Sequence, residues 1–199
     1  MSFKELGENY NKIAEWWTNA QIKNLELGMS YIRKAMRYAK KKSNVLDIGC
    51  GGTGRVIEEA LKHDFTVTGI DVSSKMIELA KTRYPDINLI NADFIEWNTA
   101  EHFDLIIAWD SVFHAPISLQ KKVTTKMCDL LSAGGVLLFT AGANAGEASG
   151  QMEGVLFEYG SIGYRGYLDI IEEMKCQIIL MEEDQYPAGH MVFICQKAG

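Results

Sequence analysis

Apolar residues open the chain at helical spacing. Ile13, Trp16 and Trp17 recur every three or four positions, and a second helical stretch runs from about Leu25 to Lys41. From Asn44 the pattern alternates. NVLDIG is a short apolar run with a glycine-rich exit. GRVIEEALKHD puts Val56, Ile57, Ala60 and Leu61 on one helical face. FTVTGID is β-rich, and SSKMIELAKTRY opens with a serine suited to capping and continues as an amphipathic helix. INLINAD and FDLIIAWD read as further strands. SLQKKVTTKMCDLLSAGG reads as a helix stopped by its Gly-Gly pair, with VLLFTAG as the next strand. A helix near YRGYLDIIEEMK then leads into CQIILMEED, the loop QYPAG and HMVFICQK.

Strands alternating with helices predict a mostly parallel sheet covered on both faces. The QYPAG loop is too short for a crossover helix, so the last two strands should run antiparallel. The expected fold is α/β: a Rossmann-like doubly wound sheet of about seven strands, mostly parallel, with one antiparallel strand near the edge, helices on both faces and an N-terminal helical cap.

The chain has 199 residues and only three prolines, which suits one domain with no Pro-rich linker. The formal net charge of -6 does not suggest a general nucleic-acid or anionic-membrane binder. The basic run RKAMRYAKKK, Arg33 to Lys42, reads as the solvated last turns of a helix. Cys50, Cys128, Cys176 and Cys195 are far apart and form no CxxC pair, which speaks against a zinc site. The start is polar, with no signal-peptide core, and no apolar run is long enough to span a bilayer. A cytoplasmic protein with reduced thiols is the expectation.

Chemistry enters at NVLDIGCGGTGR, where four glycines, Gly49, Gly51, Gly52 and Gly54, fall within six residues. Glycine is costly to order, and a merely structural strand-to-helix turn needs fewer. In an open α/β sheet ligands bind beyond the carboxyl ends of the strands, where this loop lies, and helix-start amides favour a negative group. Gly49, Gly51 and Gly54 spell GxGxxG, and Asp71 lies at about the distance expected of a ribose-binding acid. Both features serve NAD as well as any adenosine ligand. Asp47 separates the two: a fixed carboxylate is unwelcome beside a pyrophosphate and welcome beside an ammonium and a sulfonium. Asp93, followed by Phe94 in NADF, is placed to accept from an adenine amino group while the aromatic covers the ring.

In this order and spacing, VLDIGCGGTG, GIDVS, NADF, FDLIIAWDSVFH and LLSAGGVLLFTAG resemble the class I S-adenosylmethionine-dependent methyltransferases of small-molecule type. The resemblance runs from about Asn44 to Gly142, and more loosely to the final strand pair. It implies S-adenosyl-L-methionine as cofactor. It implies that Asp47 and the loop from Gly49 through Cys50 and Gly51 to Gly54 hold the methionine part, Cys50 through its backbone. It implies that Asp71, with Val72 beside it, binds the ribose, and that Asp93 and Phe94 contact the adenine. Trp109 matches a position that lines the cofactor, and Tyr10, in NYNKIAEWW, one that faces its carboxylate end. The implied layout is a single domain over 1–199, with a helical cap over 1–43, a cofactor-binding core over 44–142, and a substrate-side insertion plus terminal strand pair over 143–199.

Methyl transfer from a sulfonium expels a neutral leaving group. Alignment and exclusion of water supply most of the help, so few obligatory catalytic residues are expected. The best acid–base candidate is His114 in WDSVFHAP, at the loop facing the transferred methyl; its alternative is to orient that loop or pair with Asp110. His190 reads as structural. Where amino-directed base methyltransferases carry an Asn/Asp-Pro-Pro-aromatic tetrad, this chain has DSVF, which counts against adenine or cytosine amines, and a nucleic-acid acceptor is not expected. Thr140 to Gly166, rich in glycine and aromatics, suits an active-site wall or lid, with Tyr159, Tyr164 and Tyr167 as candidate pocket liners. A small-molecule acceptor is expected, with no membrane partner. The alternatives are an NAD-linked oxidoreductase and a non-catalytic cofactor-binding module. Tyr38 and Lys42 spell the YxxxK of short-chain dehydrogenases, but they precede the glycine loop instead of following it.

Overall fold

A computed structural model describes residues 1–41 and 43–199. Lys42, the end of the basic run and of the YxxxK match, lies outside the described residues. The strands are β1 (Asn44–Ile48), β2 (Thr66–Asp71), β3 (Asn88–Asn91), β4 (Phe103–Ala108), β5 (Leu131–Gly142), β6 (Ala145–Met152), β7 (Val155–Ile162), β8 (Cys176–Glu183) and β9 (His190–Lys197). The α-helices are α1 (Phe3–Ile22), α2 (Met29–Tyr38), α3 (Arg55–Leu61), α4 (Ser74–Arg83), α5 (Ile117–Asp129) and α6 (Gly163–Glu173).

Seven strands form one sheet in the order β3-β2-β1-β4-β5-β9-β8. Every pairing from β3 to β5 is parallel, and β9 runs antiparallel to both β5 and β8. The expected sheet and its antiparallel strand near the edge are present. β4 is buried along its whole length, which is why FDLIIA reads as a continuous apolar run. The pleat divides its side chains between two cores: Ile106 packs with Leu46, Phe139 and Phe193 on one face, and Ile107 with Val45, Leu138 and Ile194 on the other.

Local chemistry sets the helix ends. Ser2 and Glu5 form a capping box at α1, and the Ser73 hydroxyl accepts from the Met76 amide 3.1 Å away at the start of α4. Asn11 ties these two helices together: its Oδ1 accepts from Ser73 Oγ at 2.7 Å and from the Lys75 amide at 3.0 Å. The helical cap is thereby docked on the strand ends.

Three expectations change. The helix of SLQKKVTTKMCDLLSAGG stops at Asp129, before its glycines. Leu131 already pairs with Phe103, and the Gly-Gly pair lies within β5 where its register to β4 shifts, with Gly134 at φ 75°. The helix of the basic run ends at Tyr38, so Arg37 stands in its last turn while Lys40 and Lys41 lie beyond it, exposed. Finally, Thr140 to Gly166 contains the hairpin β6–β7. Its two-residue turn is Glu153-Gly154, both at positive φ (50° and 74°), the primed-turn geometry that matches strand twist.

Candidate functional site

Chain order along the sheet reverses between β1 and β4, and the loops leaving these two strands face a common crevice. A cavity of about 1020 Å³ lies there. Its wall comes from the glycine loop (Gly49 to Thr53), Asp71 at the end of β2 with Val72 after it, Phe94 after β3, Trp109 to Val112 with His114 and Ala115 after β4, and Tyr10 and Trp17 from α1. The structure thus brings Tyr10, Gly49, Cys50, Gly51, Asp71, Val72, Phe94, Trp109 and His114 around one space. Asp47, Gly54 and Asp93 are not among its lining residues, though each adjoins one in sequence.

The glycines divide by what a side chain would meet. At Gly51, φ 59°, a Cβ would touch nothing within 4 Å, so this backbone lies open. At Gly54, φ 70°, a Cβ would fall 2.1 Å from Tyr84 Cε2, so that glycine serves the packing of α3's first turn. The Gly49 and Cys50 amides both donate to the Ile70 carbonyl (2.8 and 3.1 Å), pinning the loop to β2.

Two buried carboxyls flank the loop. Asp71 accepts from the Gly51 amide at 2.9 Å and from the Ser73 amide at 2.8 Å. Burial pushes its pKa up to about 6 against the pull of those amides. Asp47 is only 3 % exposed, and its Oδ2 finds no hydrogen bond among the described residues. Burial pushes it up to about 7, with Arg55 drawing it down and Asp71 adding to the rise. Trp109 Nε1 and Ser111 Oγ, both on wall residues, are likewise buried without a partner. Asp93 Oδ1 accepts from the Ile95 amide at 2.8 Å, closing its own turn.

His114 is 6 % exposed and bonded at both nitrogens. Nδ1 lies 3.0 Å from the Glu158 carbonyl, which only accepts, so Nδ1 carries the proton. Nε2 is then the acceptor for the Tyr10 hydroxyl at 2.8 Å. Burial lowers the imidazole pKa to about 4, outweighing the Glu158 carbonyl and Asp110. The expected alternative partner, Asp110, is taken by His190 Nε2 at 2.8 Å.

Sequence reasoning missed several wall residues. Arg55 enters the cavity with one hydrogen bond, from Nη1 to the Leu27 carbonyl at 2.8 Å. Its place directly after the glycine loop was the available signal. Trp16 and Trp17 part company: Trp17 lines the cavity while Trp16 is 42 % exposed. Of the three tyrosines, Tyr159 lines a second cavity of about 830 Å³, whereas Tyr167 is wholly buried and donates to Gln120 Oε1 at 3.0 Å.

Residues 45–135 match a family of methyltransferase domains. The fold is shared by an S-adenosylmethionine-dependent methyltransferase from Clostridium acetobutylicum (TM-score 0.67, 14 % identity, 98 % of each chain covered). It is shared equally by magnesium protoporphyrin IX methyltransferase from Synechocystis with bound S-adenosylmethionine (TM-score 0.73, 13 % identity, 100 % of this chain and 98 % of that one). Residues 45–135 are thus a methyltransferase domain, and the chain shares the fold of S-adenosylmethionine-dependent methyltransferases. Among curated methyltransferases it is similar to the ubiquinone biosynthesis O-methyltransferase of Coxiella burnetii, at 29 % identity over 69 % of this chain and 61 % of that protein. The enzyme of the same name from Nitrosospira multiformis is 32 % identical over 67 % of this chain and 59 % of that protein. The chain thus spans about three fifths of the length of these relatives.

The family cofactor, S-adenosylmethionine, presents an ammonium, a carboxylate, a sulfonium, a ribose diol and an adenine. The groups at this cavity fit that set. Asp71 at a strand end, Arg55 and the apolar Val72 and Phe94 line one space, and Asp47, an acid without a donor, adjoins its lining at Ile48. Among the described residues no cluster of His, Cys, Asp and Glu is arranged to hold a metal, and no helix is long and apolar enough to cross a membrane.

Proposed function

We propose that the protein transfers a methyl group from S-adenosylmethionine to a small-molecule acceptor by direct displacement. The observation that carries this reading is Asp47 Oδ2, a buried carboxylate oxygen with no donor among the described residues, two positions before the glycine loop. A buried unpaired acid is costly and calls for a cationic partner. A pyrophosphate there would meet a like charge. An ammonium or sulfonium would supply what Asp47 lacks.

The role of each residue follows from this reading. Asp47 faces the cationic methionine end, and the open Gly51 backbone lets the cofactor approach the loop. Asp71, already holding two amides, keeps lone pairs for the ribose hydroxyls. Val72 and Phe94 enclose the adenine, and the Asp93 turn holds Phe94 in place while its second oxygen serves the adenine amino group. Arg55 offers the counter-charge to the methionine carboxylate, and Tyr10 and Trp109 close that end. Cys50 contributes its backbone; burial, with Asp71 and Asp47 nearby, raises its thiol pKa well above the ordinary value.

Bound, the cofactor supplies a methyl carbon activated by the neighbouring sulfonium. The chain's part is to align the acceptor with it and exclude water. His114, neutral and with its lone pair engaged by Tyr10, acts here as a positioning residue that fixes α1 over the cavity. The helical cap over 1–43 and the segment over 143–199 enclose the acceptor above the core of 44–142, which suits a small molecule.

The test is incubation with methyl-labelled S-adenosylmethionine and a fractionated cell extract. Label should enter the low-molecular-mass fraction as S-adenosylhomocysteine appears. Label entering only protein or nucleic acid would contradict the reading.

A further inference from the structure

Asp110 is the other acid of the cavity wall, and it is held unusually. Its backbone is left-handed (φ 51°), a conformation that costs a side-chain-bearing residue about 1–2 kcal/mol. Three contacts hold it so: the Asp110 amide donates to Thr140 Oγ1 at 2.9 Å, Thr140 Oγ1 donates to Asp110 Oδ1 at 3.3 Å, and Asp110 Oδ1 accepts from His190 Nε2 at 2.8 Å. His190 is held in turn, its Nδ1 lying 2.5 Å from Asp184 Oδ1. Burial lowers the His190 pKa and the two carboxylates raise it by more, so it favours the imidazolium that donates at both nitrogens. Asp110 Oδ2 is left without a hydrogen bond among the described residues, and Trp109, next in sequence and 5 % exposed, lines the same cavity with its indole N–H unpartnered.

This chain of groups joins two spaces. Asp110 lines the first cavity and His190 the second. The second is walled by Phe113 and Tyr159, with ring centroids 5.7 Å apart, and by the backbone of Gly142, Gly160 and Gly189. These rings, tilted 52° to one another, give the cavity an aromatic face over a glycine floor, a surface on which a flat ring can pack. The charge around Asp110 selects what that ring carries. The His190 imidazolium and the Arg55 guanidinium both act on Asp110, and the methyl donor adds a third positive centre. A cationic amine would meet those charges, while a hydroxyl that becomes anionic as its proton leaves is stabilised by them.

We propose that Asp110 is a further catalytic residue, the proton acceptor for the hydroxyl of a small aromatic acceptor seated in the second cavity, with His190 and Asp184 as positioning residues behind it. The inference rests on the methyl-transfer reading above. The acceptor O–H bond breaks and its proton goes to Asp110 Oδ2. The oxygen forms its bond to the methyl carbon, and the electron pair of the S–C bond leaves with the neutral thioether.

The experiment uses the full chain, S-adenosylmethionine and three probes: catechol, 4-nitrocatechol (whose hydroxyl is ionised in mildly alkaline buffer) and benzylamine. Calorimetry with S-adenosylhomocysteine runs in parallel. Wild type should methylate catechol on oxygen. Asp110→Asn should lower kcat on catechol by about 100-fold, the scale of a lost general base. On 4-nitrocatechol, which needs no base, the loss should stay below about tenfold. His190→Gln and Asp184→Asn should show the same contrast in weaker form, in kcat more than in KM, with S-adenosylhomocysteine affinity within about threefold of wild type. Equal loss on both catechols would overturn the proposal. Transfer to benzylamine alone, or to no probe by a protein that binds S-adenosylhomocysteine, would do so too. A wild type that fails to bind S-adenosylhomocysteine would instead strike the methyl-transfer reading beneath it.

Discussion

At the scale of single residues the account turns on Asp47 and Asp71, whose pKa values burial raises to about 7 and about 6 from an ordinary carboxyl value near 3.8. A group whose folded value is raised stabilises the fold when protonated. That contribution is complete below about pH 4 and is lost as pH climbs through about 6 and about 7. The ligand-free protein should therefore lose stability from pH 4 to 8 through these two groups. An ammonium beside Asp47 favours the ionised acid, so cofactor binding near pH 6.5 should release protons and tighten as pH rises. Titration calorimetry in two buffers of different ionisation enthalpy checks both signs. The glycines give a second contrast. Gly54→Ala forces a Cβ into Tyr84 and should destabilise the fold, whereas Gly51→Ala meets no protein atom and should cost only its left-handed strain, about 1–2 kcal/mol, while weakening cofactor binding strongly. Denaturant melts paired with binding measurements separate the two. The loop itself was legible in the sequence because four glycines in six residues exceed what a strand-to-helix turn needs, although Gly54 turns out to serve packing. Which glycine faces the cavity was not, because that depends on Tyr84 and Ser111, distant in sequence and brought in by packing. Asp71→Asn keeps an acceptor for the Gly51 or Ser73 amide but removes the charge. It should leave the fold in place and weaken cofactor binding by about 1.5–3 kcal/mol, the range for hydrogen bonds to a charged group.

At the scale of elements, α1 is the piece that closes the cavity. Asn11 fastens it to the start of α4, Asn9 Nδ2 donates to the Leu156 carbonyl at 2.9 Å, and Tyr10 reaches His114. Tyr10→Phe strands the His114 lone pair and should cost about 1–3 kcal/mol, with a lower thermal midpoint and weaker cofactor affinity. An unchanged midpoint would remove the hydroxyl from the account of how α1 is held. The periodicity of Ile13, Trp16 and Trp17 announced this helix but could not say which tryptophan enters the cavity. Helical spacing fixes a face, and the partner of that face comes from tertiary packing. The hairpin β6–β7 was invisible for a different reason. Apart from its final Met152, Ala145–Met152 is built of alanine, glycine, serine, glutamate and glutamine, weak strand formers, so propensity argued for a loop. Only the Glu153-Gly154 turn signals the pairing.

At the scale of the whole molecule, alternation of apolar strands with amphipathic helices carried the sheet, its parallel sense and its antiparallel strand near the edge. Those features follow from connection length and handedness, which sequence spacing records. The cavity follows from the topology too. Strand order reverses between β1 and β4, so the glycine loop and the segment from Trp109 to His114 are brought together at one crevice. The proton-handling groups were not legible, because Asp110, Asp184 and His190 meet only once β9 has crossed beside β5. Calorimetric titration of the protein with S-adenosylmethionine and, separately, with NADH tests the central claim most directly. Saturable binding of the sulfonium cofactor, lost in Asp47→Asn, with no heat from NADH, is the predicted result. Binding of NADH with none of S-adenosylmethionine would contradict it.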